Sequence, residues 1–149
     1  MDGRTIENAK LVHQTTCRVI YADTDNMGYA YHANYFRWFE MGRTELLRSY
    51  GMSYKRIEES GIFLPVSEAH CKFLRPVRYD EVVIVETSLD VRVKGGFKFD
   101  YRLLRKDDQK VLAEGYTKHP CINGNGKVVR PPAFLTNIFA KADNRETAV

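Results

Sequence analysis

Hydrophobic and polar positions along this chain follow two periods in turn. After a polar start, Val12 to Ala22 is rich in Thr, Val and Ile and reads as a β-strand, ending where Asp23-Thr24-Asp25-Asn26 brings turn chemistry. From about Ala33 to Tyr50 the spacing becomes helical. Tyr35, Phe39, Gly42 and Leu46 recur on one face, flanked by Phe36, Trp38 and Leu47, and Gly51 stands where a left-handed C-terminal cap belongs. Gly42 inside that helix costs about 1 kcal/mol relative to alanine, so its expected use is to let the helix lie close against a flat surface such as a sheet. A short second helix is predicted from Ser53 to Glu59, stopping at Gly61.

Period two takes over beyond residue 82. Val83, Val85, Thr87, Leu89, Val91 and Val93 face one way, and Glu86, Ser88, Asp90, Arg92 and Lys94 the other. Gly95-Gly96 turns the chain, and Phe97, Phe99, Tyr101 and Leu103 resume the alternation against Lys98, Asp100 and Arg102. A turn at Lys106-Asp107-Asp108-Gln109 leads into a strand from about Lys110 to Ile122. There Asn123-Gly124-Asn125-Gly126 signals a hairpin with a short return through Val128-Val129. Arg130-Pro131-Pro132 ends the sheet, and a last helical turn or two is expected from Ala133 to Lys141. One strand, one long helix and then four or five strands describe an α+β domain, a mostly antiparallel sheet against one helix. Such a sheet leaves its other face and its edges uncovered, so an oligomer is expected.

Length and composition narrow the function classes. The 149 residues make a single domain, 1–149, with residues 1–10 and 142–149 expected to be loosely ordered. A hydrophobic fraction of 44% with charges throughout suits a soluble globular protein. The net charge of +4 suits an anionic ligand but does not demand nucleic acid, because basic residues are scattered among acids. Cys17, Cys71 and Cys121 are odd in number and far apart, which suits reduced thiols in the cytoplasm. The polar N-terminus lacks an apolar signal core, and the longest aliphatic run, Val82 to Val85, is too short to span a bilayer. A cytoplasmic location without membrane insertion is therefore expected.

The chemistry concentrates in Tyr21 to Glu40, where two carboxylates and a glycine precede a histidine at the mouth of an aromatic-rich helix. Asp23 and Asp25 can serve as turn residues. Asp25 lies closer to the helix start, where the macrodipole favours negative charge and free N–H groups can hold a developing oxyanion. Calcium is excluded by spacing, since a loop starting at Asp23 would place Met27 and Asn34 at its fifth and twelfth positions. No metal site is expected from Asp23, Asp25 and His32 alone. His32 reads either as a structural helix-start residue or as a hydrogen-bonding partner of a reacting carbonyl or water. Tyr31 is assigned toward the site and Trp38 toward the core. No serine-hydrolase elbow, dinucleotide turn or P-loop is present, and the three cysteines read as buried small hydrophobes rather than nucleophiles.

The run Tyr21-Ala22-Asp23-Thr24-Asp25-Asn26-Met27-Gly28-Tyr29-Ala30-Tyr31-His32-Ala33-Asn34-Tyr35 closely resembles the 4-hydroxybenzoyl-CoA thioesterase family, particularly its YbgC-type acyl-CoA thioesterases. Arg37-Trp38-Phe39-Glu40, Arg43-Thr44-Glu45, Phe73-Leu74-Arg75-Pro76-Val77-Arg78-Tyr79-Asp80 and the Gly95-Gly96 hairpin extend the resemblance over nearly the whole chain. It implies a hotdog fold, an antiparallel sheet wrapped around one long central helix. It also implies a homodimer or homotetramer with active sites between subunits. Asp25 corresponds to the catalytic carboxylate and His32 to the histidine of the YbgC-type branch, with Gly28, Tyr31 and the backbone at Ala33 in substrate binding. The implied reaction is hydrolysis of a short-chain, fatty or aromatic acyl-CoA, with Asp25 acting as nucleophile or general base. Coenzyme A is then part of the substrate and no separate cofactor is expected; Arg92, Lys94 and Lys98 are candidate contacts for its phosphates. An acyl carrier protein is a further candidate partner. Two other readings of the same fold are a non-catalytic acyl-binding or scaffold subunit and a dehydratase or hydratase, for which the expected placement of acid and histidine is absent.

Overall fold

The structure is a computed structural model that describes residues 10–90, 96–137 and 140. Strand β1 runs over Lys10–Arg18, helix α1 over Asn34–Ser49 and helix α2 over Tyr54–Glu59. They are followed by β2 (Ile62–Phe63), β3 (Glu68–Phe73), β4 (Val82–Asp90), β5 (Gly96–Arg105), β6 (Val111–Pro120) and β7 (Ile122–Asn123). Five strands form an antiparallel sheet in the order β1-β4-β5-β6-β3, and β2 pairs with β7 in a separate two-stranded piece. The expected α+β hotdog architecture is therefore observed.

Helix α1 buries Tyr35, Trp38, Phe39, Gly42, Leu46 and Leu47. It lies mainly against β1 and β4. The facing residues are the odd-numbered set predicted from period two: Val83, Val85, Thr87 and Leu89 on β4 and Phe97, Phe99, Tyr101 and Leu103 on β5 are all buried. Gly42 serves the close approach expected of it, because a Cβ there would fall 2.7 Å from Val85 Cγ1 and against Thr87 Oγ1. Gly115 on β6 does the same from the sheet side, where a Cβ would sit 2.6 Å from the Phe39 ring. Phe39 can consequently stack on Tyr101 with centroids 4.2 Å apart and planes 5° from parallel. The helix stops as predicted: Gly51 has φ 81°, its N–H donates to Arg48 O, and the Met52 N–H donates to Leu47 O.

Two strand ends and one whole strand differ from the sequence expectation. Strand β1 ends at Arg18 rather than Ala22, because the Asp23 carboxylate accepts from the Ile20 N–H at 2.9 Å and winds Tyr21–Asp23 into a 3₁₀ turn. The strand expected to run to Ile122 ends at Pro120, and Ile122–Asn123 pairs with β2 instead. Strand β3 is an edge strand to which the hydrophobic pattern assigns no element, for its residues are exposed apart from the half-buried Cys71. Gly95, with the turn it was expected to make, lies outside the described residues, as do the predicted tails apart from Lys10.

Inside the core a polar relay replaces packing. His119 Nδ1 lies 3.1 Å from Leu64 O, so this nitrogen carries the proton and donates. His119 Nε2 then accepts from the Thr117 hydroxyl at 2.8 Å, which leaves Thr117 Oγ1 to accept from the Tyr101 hydroxyl at 2.6 Å. Burial pushes the His119 pKa down to about 4, which keeps the imidazole neutral.

Candidate active site

The segment between β1 and α1 is built by its own short polar side chains. Asp23 is buried, and its two carboxylate oxygens are taken by the Ile20 N–H and the Arg37 guanidinium. Its carbonyl accepts from the Tyr31 N–H at 2.7 Å and from Asn34 Nδ2 at 2.8 Å, so Asp23 fixes where α1 begins. Asp25 organises the next loop. Its Oδ1 accepts from the Met27 N–H at 2.8 Å and the Tyr29 N–H at 3.3 Å, while its own N–H donates to Tyr29 O. Gly28 closes this loop at φ 81° and donates to Asp25 O. The Ala30 N–H donates to Val77 O at 2.7 Å, and Tyr29 bridges to Arg78, which stitches the loop to the segment after β3.

Helix α1 starts without a side-chain cap. The Asn34 N–H donates to Tyr31 O and the Tyr35 N–H to His32 O, whereas the N–H groups of His32 and Ala33 have no acceptor among the described residues. Asp25 and His32 come together in one cleft of about 310 Å³, also lined by Met27, Tyr29, Ala30, Tyr35 and Phe73 to Pro76. Its walls are largely aromatic: Phe73 meets Tyr35 edge to face at 4.8 Å and the His32 ring at 6.5 Å. Burial pushes the Tyr35 hydroxyl up to about 12, so it stays protonated. The carboxylate of Asp25 is thus anchored through one oxygen, and Oδ2 has no partner among the described residues. The helix-start amides do not donate to Asp25, so both groups are left available to a ligand.

Of the remaining candidates, Gly28 shapes the loop without lining the cleft, and Ala33 does not line it either but follows His32 with an amide unpaired among the described residues. Tyr31 is exposed and packs its ring 4.4 Å from His32. Trp38 is in the core as expected. Lys98 stands on the outer face of β5, away from α1, 3.4 Å from Asp100 and 4.8 Å over the Tyr116 ring. Arg92 and Lys94 lie outside the described residues. Tyr35, which the helical spacing places on the core face, is buried and lines the cleft as well, whereas Ala30 and Phe73 to Pro76 are cleft residues to which sequence reasoning assigns no role, although Phe73 to Asp80 carries part of the resemblance. Burial raises the thiol pKa of Cys17 and Cys71 to about 11 and also that of Cys121, as suits unreactive thiols. A larger hollow of about 430 Å³ on the outer sheet face includes Glu86 and Arg102, which pair across strands at 2.8 Å, with Gln14 donating to Glu86 at 2.9 Å. Among the described residues no three His, Cys, Asp or Glu side chains are grouped to hold a metal ion, and no helix is long and apolar enough to cross a membrane.

A family model described as the thioesterase-like superfamily matches residues 19–139. An acyl-CoA thioesterase, YbgC, of Haemophilus influenzae is 34% identical over 125 residues, covering 83% of this chain and 88% of that protein. The crystal structure of protein TT1821 from Thermus thermophilus superimposes with a TM-score of 0.79 at 35% identity, covering 86% and 97% of the two chains. A DHNA-CoA thioesterase from Staphylococcus aureus superimposes at 0.76 with 27% identity, covering 94% and 96%.

Proposed function

The chain belongs to the thioesterase-like superfamily, and from that membership together with the cleft we propose that Asp25 and the start of α1 hydrolyse an acyl-CoA to the free acid and coenzyme A. The enzyme is a thioester hydrolase. The observation that carries the site assignment is the meeting, in one cleft, of a carboxylate with a free oxygen and a helix start with unpaired amides.

Asp25 Oδ2 either attacks the thioester carbonyl carbon, giving a mixed anhydride that water then opens, or takes the proton of a water that attacks. Negative charge develops on the carbonyl oxygen in both routes, and the amides of His32 and Ala33 are the donors that meet it. Removing such a donor typically costs about 3 kcal/mol of transition-state stabilisation. A thiolate leaves readily, because a thiol has a pKa of about 8.5, so no strong acid is needed and the mechanism calls on no cofactor. Tyr35, Phe73 and Leu74 form the wall against which the acyl group packs.

The second subunit belongs to the same proposal. Strand β3 is a free sheet edge, and Phe73 and Leu74 at its end are 49% and 40% exposed beside the cleft. A homodimer formed along that edge covers them and closes the site; a homotetramer and an acyl carrier protein as donor of the acyl group are extensions of it. Three unpaired cysteines support a cytoplasmic location. The test is release of free thiol from a panel of short, long and aromatic acyl-CoAs. Turnover of at least one is expected, and tight binding with no turnover of any would instead make the chain a non-catalytic acyl-binding subunit.

A further inference from the structure

The cleft accounts for the thioester end of the substrate; of the candidate contacts for the nucleotide end, Lys98 is on the far face of the sheet and Arg92 and Lys94 lie outside the described residues. On the segments flanking the cleft in the chain, Tyr21 and Tyr79 stack in the open, with centroids 4.1 Å apart and planes 14° from parallel. Tyr21 is 75% exposed and Tyr79 44%. Two tyrosines held ring to ring with one outer face bare to water bury little for themselves, and a bare aromatic face is a stacking surface for a planar ring.

The pair is carried by the two chain segments that also supply the cleft. Tyr21 opens the 3₁₀ turn that leads to Asp25. Tyr79 follows Arg78, which bridges to Tyr29, and Tyr29 and Pro76 both line the cleft. The Asp80 N–H donates to Val19 O at 2.9 Å, tying the Tyr79 segment to the residues just before Tyr21. The surroundings are basic. Arg18 reaches Asp80 O at 2.8 Å and its carboxylate at 3.3 Å as an exposed pair, and the Arg78 guanidinium lies 5.5 Å over the ring of Tyr29, a cleft residue. Arg75 lines the cleft itself. Of the neighbouring acids in the chain, Glu81 is engaged by Arg105 and by the Arg78 N–H, and Asp23 by Arg37 and the Ile20 N–H.

We propose that the Tyr21–Tyr79 pair is the platform on which the adenine of the acyl-CoA stacks, with Arg18 and Arg78 facing its phosphates. Adenine supplies the planar ring, and the phosphates supply negative charge to Arg78 and to Arg18, whose exposed pairing with Asp80 they can replace. The pantetheine arm then runs from the platform past Arg78 to the thioester at Asp25. The inference rests on the thioesterase reading for the identity of the ligand.

Kinetics with two substrates of one acyl group separate the outcomes: the acyl-CoA, and the acyl-pantetheine that lacks the nucleotide. Tyr21→Ser and Tyr79→Ser should each raise KM for acyl-CoA about tenfold, the scale of one base stacked on an aromatic ring. The kcat on acyl-CoA and the KM for acyl-pantetheine should stay unchanged. Tyr21→Phe, which keeps the ring, should restore the wild-type KM, and Arg18→Ser should weaken its dependence on salt. An equal change on both substrates, or none on either, would overturn the platform, as would a variant whose molecular mass in solution drops, since that would assign the pair to a subunit contact. Calorimetric binding of coenzyme A alone keeps the two readings apart. Equal affinity in wild type and Tyr21→Ser refutes the platform whatever the turnover, whereas binding that depends on Tyr21 without hydrolysis of any thioester refutes the thioesterase and leaves the platform standing.

Discussion

Asp23 is buried, with Arg37 on one carboxylate oxygen and the Ile20 amide on the other, whereas Asp25 uses Oδ1 alone and lines a cleft with His32. Two carboxylates two residues apart thus have different tasks because the chain reverses between them. Asp25→Asn keeps the Oδ1 acceptor and so the loop, but loses the nucleophile or base. Its kcat should fall roughly 10²–10⁴-fold with thermal stability unchanged, and near-wild-type turnover would refute the assignment. His32→Ala retains its backbone amide and is expected to lose tenfold or less in kcat. Both acids were visible in the sequence as candidates. Their division of labour rests on Asn34, the first residue of α1, and on Arg37 about one turn further in, where charge pattern alone reads as a solvated face.

At the scale of elements, close approach is decided by glycine. Gly42→Ala gains about 1 kcal/mol of helix propensity but drives a methyl into Val85 and Thr87, and overpacking of that kind costs about 1–3 kcal/mol. Net destabilisation is expected, read as a lower urea midpoint at unchanged slope. The relay through β5 and β6 makes its own prediction. The folded His119 pKa of about 4 lies below the value of about 6.5 for the unfolded chain, so between these values the unfolded state binds the extra proton. Its stabilisation is complete above pH 6.5 and lost progressively down to about pH 4, amounting to ~3 kcal/mol at most. Thermal melts over that range should show the slope in wild type, and His119→Gln, which cannot titrate, should flatten it. The alternating strands β4 and β5 and the helix α1 were legible because each has one wet and one dry face. Strand β3 was not, because an edge strand with nearly every residue exposed carries no such contrast.

At the scale of the whole molecule, the sheet ends in two edges, β1 and β3, and the cleft opens beside the second. Light scattering should give two or four times the chain mass of 17.3 kDa. Specific activity should fall on dilution as dimers part, while a monomer with full activity would remove the second subunit from the site. The sequence alone determined the α+β class, the helix with its glycine and cap, the buried faces of the long strands, and the region where chemistry gathers. Those features depend on period and on contacts within a few residues. Tertiary structure decided what depends on distant segments meeting: that Phe73 to Pro76 wall the cleft of Asp25 and His32, that Asp23 is used up in the core, that Lys98 faces away, and that Tyr21 finds Tyr79. A sheet brings residues some fifty positions apart into contact through the pairing of its strands, and no local pattern encodes which side chains that pairing will place together.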